Sequence, residues 1–586
     1  MKDSSPPLAD PITLSLNLLS SLIHQQIPTV HHFKTKWSLA RVQLTLLQTH
    51  LTDFNTEFPN STHPLSLHLL HSICYTLHDA VSLVHHSHSP TLQNGKLKTQ
   101  NDIDSLLSKL HCHVTDCDIL LRSGVLNENR NVAVSTSKRE TVRSECRNLI
   151  TRLQIGSTEL RNSAMDSLLT VLNEDDKNVT IAVAQGIVPV LVRLLDYSPS
   201  SSEMKEKIVA AISRVSTVDS GKRVLIAEGL LLLNHLLRVL DSGTGFGIEK
   251  ACIALQALSF SKENARTIGS RGGISSLLEI CQAGTPGSQA SAAGVLRNLA
   301  AFAKIQENLV EENAVVILLG LAASGTPLAQ ENAISCLSCL ISEAERLRVL
   351  VVKEGGIEIL KNFWDSASLT NKGLEVAVEI LRNLALSAPI AEVLISKGFV
   401  ARLVRVLNCG VLAVRIVAGR AVYALGLSGG TKAKKEMGEC GCIMPLIKML
   451  DGKAFEEKEV AMMALSVLLL HAENRRIFRK DEKGVVSVVQ LLNPSLQGLD
   501  KKYPVSLLAL LVHSKSCRKQ MVAAGACVFT QKLAEMDVEG SKKLLESLGR
   551  ARDRRFLTSC NYGLAPPTMK GEGVLMILLW PIILLT

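Results

Sequence analysis

Aromatic residues are scarce in this chain: three Trp, five Tyr and twelve Phe among 586 residues. That scarcity argues against a groove that stacks bases on aromatic faces, so no nucleic-acid partner is expected. No phosphate-cradling glycine loop and no nucleophile elbow is present. The run GTGFG, Gly243 to Gly247, has no preceding strand pattern and no following Lys. With no catalytic constellation, the chain reads as a non-enzyme without a cofactor. The fourteen cysteines follow no disulfide framework. Most sit inside helical patterns, as Cys252, Cys336 and Cys339 do, and read as reduced, buried thiols. That places the protein in the cytoplasm, the nucleus or both.

Charge is modest as well, +10 overall. Much of it lies in the last quarter, at Lys432, Lys434, Lys435, Arg475, Arg476, Arg479 and Lys480, then Arg550, Arg552, Arg554 and Arg555. Two readings stand for these residues: solvated helix faces, or a weak nuclear-targeting or anionic-surface role. The long apolar run Val574 to Leu585 is broken by Pro581. As a helix it would span about 18 Å, short of the ~30 Å hydrocarbon core, so membrane attachment is not expected. Ile12 to Ile23 lacks a basic leader, and no cleaved signal is expected.

Against these absences stands a repeat. Gly186, Gly229, Gly273, Gly356, Gly398, Gly441, Gly484 and Gly525 each precede an apolar run, and Asn313 fills the one double-length gap. The steps are 43, 44, 40, 43, 42, 43, 43 and 41 residues. A sharp turn at each point favours positive φ, which Gly tolerates best and Asn next. After each turn come apolar residues at helical spacing, then a breaker, then a longer Ala/Leu-rich helix. Three helices per unit and a period in the low forties are the mark of an armadillo array.

The segments SQASAAGVLRNLA (288–300) and GLEVAVEILRNLA (373–385) resemble third helices of armadillo repeats, and GIVPVLVRLLD (186–196) resembles a second helix. One period before Gly186 lies Arg143, ahead of a similar segment without the glycine. The resemblance implies an all-α fold, an N-terminal helical bundle followed by a right-handed armadillo-repeat superhelix. Residues 1–9 read as disordered, 10–125 as a four-helix bundle and 126–142 as a linker. About ten units follow over 143–555, the last truncated, and 556–586 form an atypical tail.

The layout, with FKTKWSLARVQL, DCDILLRSGVL and EMDVEGSKKLLESL, resembles one subgroup of plant armadillo proteins with a helical domain ahead of the repeats. Plant U-box ubiquitin ligases share a related layout. Gly124 to Arg143 is too short a stretch for a U-box, so ligase activity is not carried over. An accessory role in a ubiquitin ligase remains one alternative. Another is a membrane-associated scaffold resembling vacuolar armadillo proteins, although their lipidation needs Gly directly after Met and Lys2 stands there.

Thirteen of the sixteen histidines precede residue 114. His71, Cys74 and His78 share one helix face, and His111, His113 and Cys117 lie on another helix. Their spacings match no standard zinc motif, so no metal site is assigned.

In armadillo proteins an Asn near the end of each third helix clamps the backbone of an extended peptide, since an amide both donates and accepts. The resemblance carries this role to Asn298 and Asn383. Arg214, Ala257, Cys339, Gly426 and Val467 occupy the aligned positions elsewhere. Gly294 and Glu379 stand where nuclear-import adaptors hold Trp, so basic import signals are not the expected ligand. Eight residues before the aligned positions stand Glu206, Glu249, Glu331, Glu375 and Glu459. They read either as carboxylates placed for the helix dipole or as an acidic ladder at the groove edge. The patch expected to bind is Glu375, Glu379 and Asn383. The function expected is a scaffold for protein or peptide partners along the concave groove.

Overall fold

In the computed structural model the described residues are 10–59, 63–88, 95–126, 138–196, 201–366 and 370–549. The expected N-terminal disorder, most of the linker and the C-terminal tail lie outside them. The chain divides into two compact units, Met1–Cys339 and Leu340–Thr586. Every regular element among the described residues is helical.

Unit one opens with four helices: α1 (Pro11–Ser21), α2 (Lys34–Glu57), α3 (Pro64–His88) and α4 (Lys96–Arg122). Along α2 the buried residues are Trp37, Ala40, Leu44, Leu47, Leu51 and Phe54, a single stripe at helical spacing. They meet Ile73 and Leu77 of α3 and Ile103 and Leu110 of α4 in one core. The polar His113 also enters it. Its Nε2 lies 2.9 Å from Thr76 Oγ1 on α3. His71, Cys74 and His78 do not join His111, His113 and Cys117, and no metal-holding group of His, Cys, Asp or Glu forms among the described residues.

From Lys138 onward the helices fall into ten repeats among the described residues. The first has two helices, Lys138–Ile155 and Thr158–Glu174, and begins five residues ahead of the expected Arg143. The other nine have three helices each. Repeat 10, expected to be truncated, holds Lys515–Ala523, Ala526–Glu535 and a short Ser541–Gly549. Third helices stack in series within each unit. In unit one these are Thr158–Glu174, Ser202–Ser216, Gly245–Leu258 and Pro286–Leu299. In unit two they are Asn371–Leu384, Leu412–Ser428, Phe455–Leu468, Lys502–Leu511 and Ser541–Gly549. The third helix of repeat 5, Pro327–Ile341, contains the division between the units. Small residues permit close stacking: Ala292 and Ala293 are fully buried. No repeat could bury such a face alone.

The corner residues need one correction. Gly186, Gly229, Gly398, Gly441 and Gly525 have positive φ, as does Asn313 at 57°. In repeats 4 and 6 the left-handed residue is Gly272 or Gly355, one step earlier. Gly273 and Gly356 begin the following helices. Gly273 is required for another reason: a Cβ there would fall 2.8 Å from Ile268 Cγ2. Gly484 has no positive φ either. There the Asp481 carboxylate accepts from the backbone N–H groups of Lys483 and Gly484 and forms the turn with its side chain.

Burial first, then nearby Lys109, lowers the His113 pKa from its ordinary 6.5 to about 4. A lowered base is protonated more readily in the unfolded chain, so acid favours unfolding. The stability of neutral His113 is complete above about pH 6.5 and is lost as pH falls toward 4, up to about 3 kcal/mol. Amide exchange in α3 and α4 should accelerate across that window. A His113→Asn chain should show a flatter dependence in the same residues.

Candidate functional site

The face to consider is formed by the third helices, where the aligned Asn positions lie. Asn298, at the end of Pro286–Leu299, is 5% exposed. Its Nδ2 donates to the Gln256 carbonyl and to Ser259 Oγ, both at 2.9 Å, on the preceding repeat. Its Oδ1 accepts from Arg297 at 3.3 Å. The amide therefore fastens one repeat to the next, and the expected peptide clamp is corrected to an internal staple. Arg214 does the same two repeats earlier. Its Nε donates to the Leu172 carbonyl at 2.9 Å and its Nη2 meets Asp176 Oδ1 at 2.6 Å. Both residues reach a carbonyl forty-two positions back. Asn383, in unit two, is 3% exposed, and its Oδ1 accepts from Arg382 at 2.9 Å. It too is removed from the surface.

The glutamates divide. Glu206 Oε1 accepts from Thr244 Oγ1 at 2.7 Å, and Thr244 caps the third helix of repeat 3. Glu249 lies over Gly287, where a Cβ would come 2.2 Å from its Oε2. These two carboxylates sit at the start of the neighbouring repeat's third helix, where the positive dipole end favours them. Glu331 is buried. In unit two Glu375 and Glu459 are half-buried. Glu379 pairs with Arg382 at 2.5 Å, and the same Nη2 reaches Asn383. Of the expected patch, then, Glu375 and Glu379 reach the surface and Asn383 does not. At Gly294 a Cβ would lie 2.4 Å from Gln256 Nε2, so an indole has no room without displacing that side chain.

Two groups of residues were not anticipated. At several passages from a third helix to the next first helix, a side chain near the new helix start donates back to the end just left. Asn178 donates to the Val171 carbonyl, Asn264 to Leu258, Arg348 to Ile341 and Asn474 to Leu468. The recurrence of Asn in DKN, KEN and AEN was visible in the sequence, but at a phase not compared between units. The second group is Tyr423 on the third helix of repeat 7 and Tyr503 on that of repeat 9. Tyr503 lies near Tyr423, and burial followed by Tyr503 raises the Tyr423 pKa. Lys502 Nζ lies 4.8 Å from the Tyr503 ring centroid. Arg420 pairs with Glu456 at 2.6 Å beside them. Two of five tyrosines in an aromatic-poor chain thus converge on one stretch of the third-helix face.

Replacing Asn298 by Ala leaves the Gln256 carbonyl and Ser259 hydroxyl without that donor. The expected loss is about 1–3 kcal/mol. Amide exchange should show it in repeats 3 and 4, with the bundle helices unchanged.

Comparison with known proteins agrees with this architecture. Residues 13–125 match a family described as a domain of unknown function, DUF7032. U-box domain-containing protein 8 of Arabidopsis thaliana is 26% identical over 273 residues, 45% of this chain and 70% of that protein. U-box domain-containing protein 44 of the same plant is 26% identical over 239 residues, 40% of this chain but only 30% of that protein. The crystal structure of an engineered protein is 23% identical, covers 69% of this chain and 99% of its own, and superposes with a TM-score of 0.58. That likeness is one of fold.

Proposed function

Because the chain is an armadillo-like α-solenoid with relatives in Arabidopsis thaliana and a DUF7032 region at its head, we propose that it is a non-catalytic scaffold. Its partners are proteins or peptides, held on the third-helix face with repeats 7 to 9 as the anchor. The observation that carries this reading is the half-buried pair Tyr423 and Tyr503, with Lys502 beside it and Arg420 one turn before Tyr423. Tyrosine supplies a large contact area with few torsions to fix and a polar tip, which suits it to binding hot spots. The buried amides give cohesion, so selectivity falls to these aromatic groups and to Glu375 and Glu379. The site of action is the cytoplasm or nucleus. Supporting that, burial raises the thiol pKa of Cys117, Cys281 and Cys442 to about 12. Such thiols are inert and suit a reducing compartment.

Proximity labelling in cells tests the reading. A Glu375→Lys, Glu379→Lys, Tyr423→Ala, Tyr503→Ala chain with a wild-type melting curve should lose a defined set of partners. An unchanged set would sink the third-helix reading and turn attention to the bundle.

A second reading is an accessory role in a ubiquitin ligase, supported by the two U-box domain-containing relatives. In a reconstituted ubiquitination assay the full chain should then stimulate transfer by its cognate ligase. No change across a panel of plant ligases would remove this reading. For the membrane-associated alternative, no single described helix is long and apolar enough to cross a bilayer, and Val574 to Leu585 lies outside the described residues.

A further inference from the structure

Unit two carries a second feature, at the edge where third helices pass into first helices. Leu386, Leu427 and Leu470 stand at that passage in repeats 6, 7 and 8, and they are 46%, 54% and 56% exposed. Their third helices, Asn371–Leu384, Leu412–Ser428 and Phe455–Leu468, are stacked neighbours. Ser428 Oγ donates to the Leu386 carbonyl at 3.4 Å, which fixes the register of the first two. Arg475 Nη1 donates to the Leu469 and Leu470 carbonyls and holds the third. One exposed leucine per repeat forms an apolar row.

A basic row overlaps it from repeat 8 onward. The first helices of repeats 8 to 10 are Gly430–Glu439, Ala472–Phe478 and Lys515–Ala523. With residues 479–483 they carry eleven Lys and Arg against five Asp and Glu, more than half of the chain's net charge of +10. The first helices of repeats 2, 5 and 7 have no positive excess. Helices of repeats 8 and 9 are joined by Asn474, which donates to the Lys434 carbonyl at 2.7 Å. Several of the charges have internal duties: Arg475 and Arg518 cap third-helix carbonyls, and Arg476 pairs with Glu473. Lys432, Lys480, Lys515 and Lys519 have no side-chain partner among the described residues, and all are exposed. The tail does not supply the missing acid. Residues 550–586 hold Arg550, Arg552, Arg554, Arg555 and Lys570 against Asp553 and Glu572.

We propose that this edge of repeats 6 to 10 binds an extended acidic segment of a partner protein, with apolar side chains seated on Leu386, Leu427 and Leu470. It deepens the scaffold reading by adding a second surface with a stated ligand chemistry, and it rests on that reading. Neighbouring helices pack about 8–10 Å apart, and an extended chain rises about 3.3 Å per residue. The segment therefore presents an apolar residue at every third position and acids between. The lysines draw the acids in and set the register, while the leucines resist dissociation.

Fluorescence anisotropy on the full-length chain tests this with a labelled peptide of repeating Leu-Glu-Asp. Two controls replace Leu by Ala, or Glu-Asp by Ser-Thr. The expected result is binding that weakens with salt and is about tenfold weaker or more for each control. Leu427→Glu/Leu470→Glu and Lys432→Glu/Lys515→Glu/Lys519→Glu chains should each lose about tenfold or more. The Glu375→Lys, Glu379→Lys, Tyr423→Ala, Tyr503→Ala chain should bind as wild type. If the double leucine variant does not melt like wild type, Leu470→Glu alone replaces it. Absence of binding, or binding kept by the edge variants, overturns the proposal. Loss confined to the third-helix variant overturns it too, while leaving the third-helix reading intact. Equal binding of duplex DNA or anionic-lipid vesicles would also overturn it, since charge alone would then explain the edge.

Discussion

A helix that ends inside a stack of repeats leaves its last carbonyls without intrahelical partners. Every third helix in this array faces that constraint. The chain meets it in two ways. Within the corner, Asn178, Asn264, Arg348 and Asn474 donate to the end of the helix just completed. Between repeats, Arg214 and Asn298 donate to the end of the helix before. Asn332 adds a third bridge, donating to the Ala290 carbonyl while accepting from Arg297. The apolar stacking that stabilises the solenoid has no direction of its own. These bonds fix how far each repeat slides and turns against its neighbour.

The period and the three-helix unit were legible because they arise from local chemistry. A left-handed corner restricts residue choice to Gly and Asn, and burial imposes apolar spacing on the helix after it. Asn313, at φ 57°, shows how far that reasoning reaches. It falls short by one residue at Gly273 and Gly356, because Gly-Gly offers two places for the corner and packing decides between them. At Gly484 it fails outright, since Asp481 achieves the turn by a side-chain bond that no backbone rule contains. The two-helix first repeat was hidden for a related reason. Its lead helix carries Arg143, Arg147 and Glu140 as an ion-paired surface where a corner glycine was sought.

The site was less legible than the fold, and Asn298 shows why. An amide at the end of a third helix has two uses, holding a foreign peptide or holding the neighbouring repeat, and the residue type is the same for both. Only burial separates them. Glu206 and Glu249 pose the same ambiguity between a ligand and a helix end, and geometry again gives the internal use. Tyr423 and Tyr503 were missed because they lie two repeats apart at different helix positions. Their meeting depends on how unit two is stacked, which no local pattern states.

These assignments separate cohesion from recognition. Where a polar side chain is buried, it serves the array, and changing it alters stability before it alters binding. On the proposed scaffold reading, recognition is left to groups that cohesion does not use. On the third-helix face these are the tyrosine pair and the half-buried carboxylates. On the edge of unit two they are three leucines and the lysines beyond them. The leucines are informative because the fold gains nothing from exposing them, and each contact with water forgoes roughly 25 cal/mol per Å² of burial. One such residue is ordinary on any surface. A row that recurs in step with the repeat, next to charge concentrated on repeats 8 to 10, is a pattern that stacking alone does not require. The solenoid thereby presents two chemically different surfaces, one aromatic with charges of both signs, the other apolar and basic. On the proposed reading, one scaffold holds two partners on separate surfaces without competition between them.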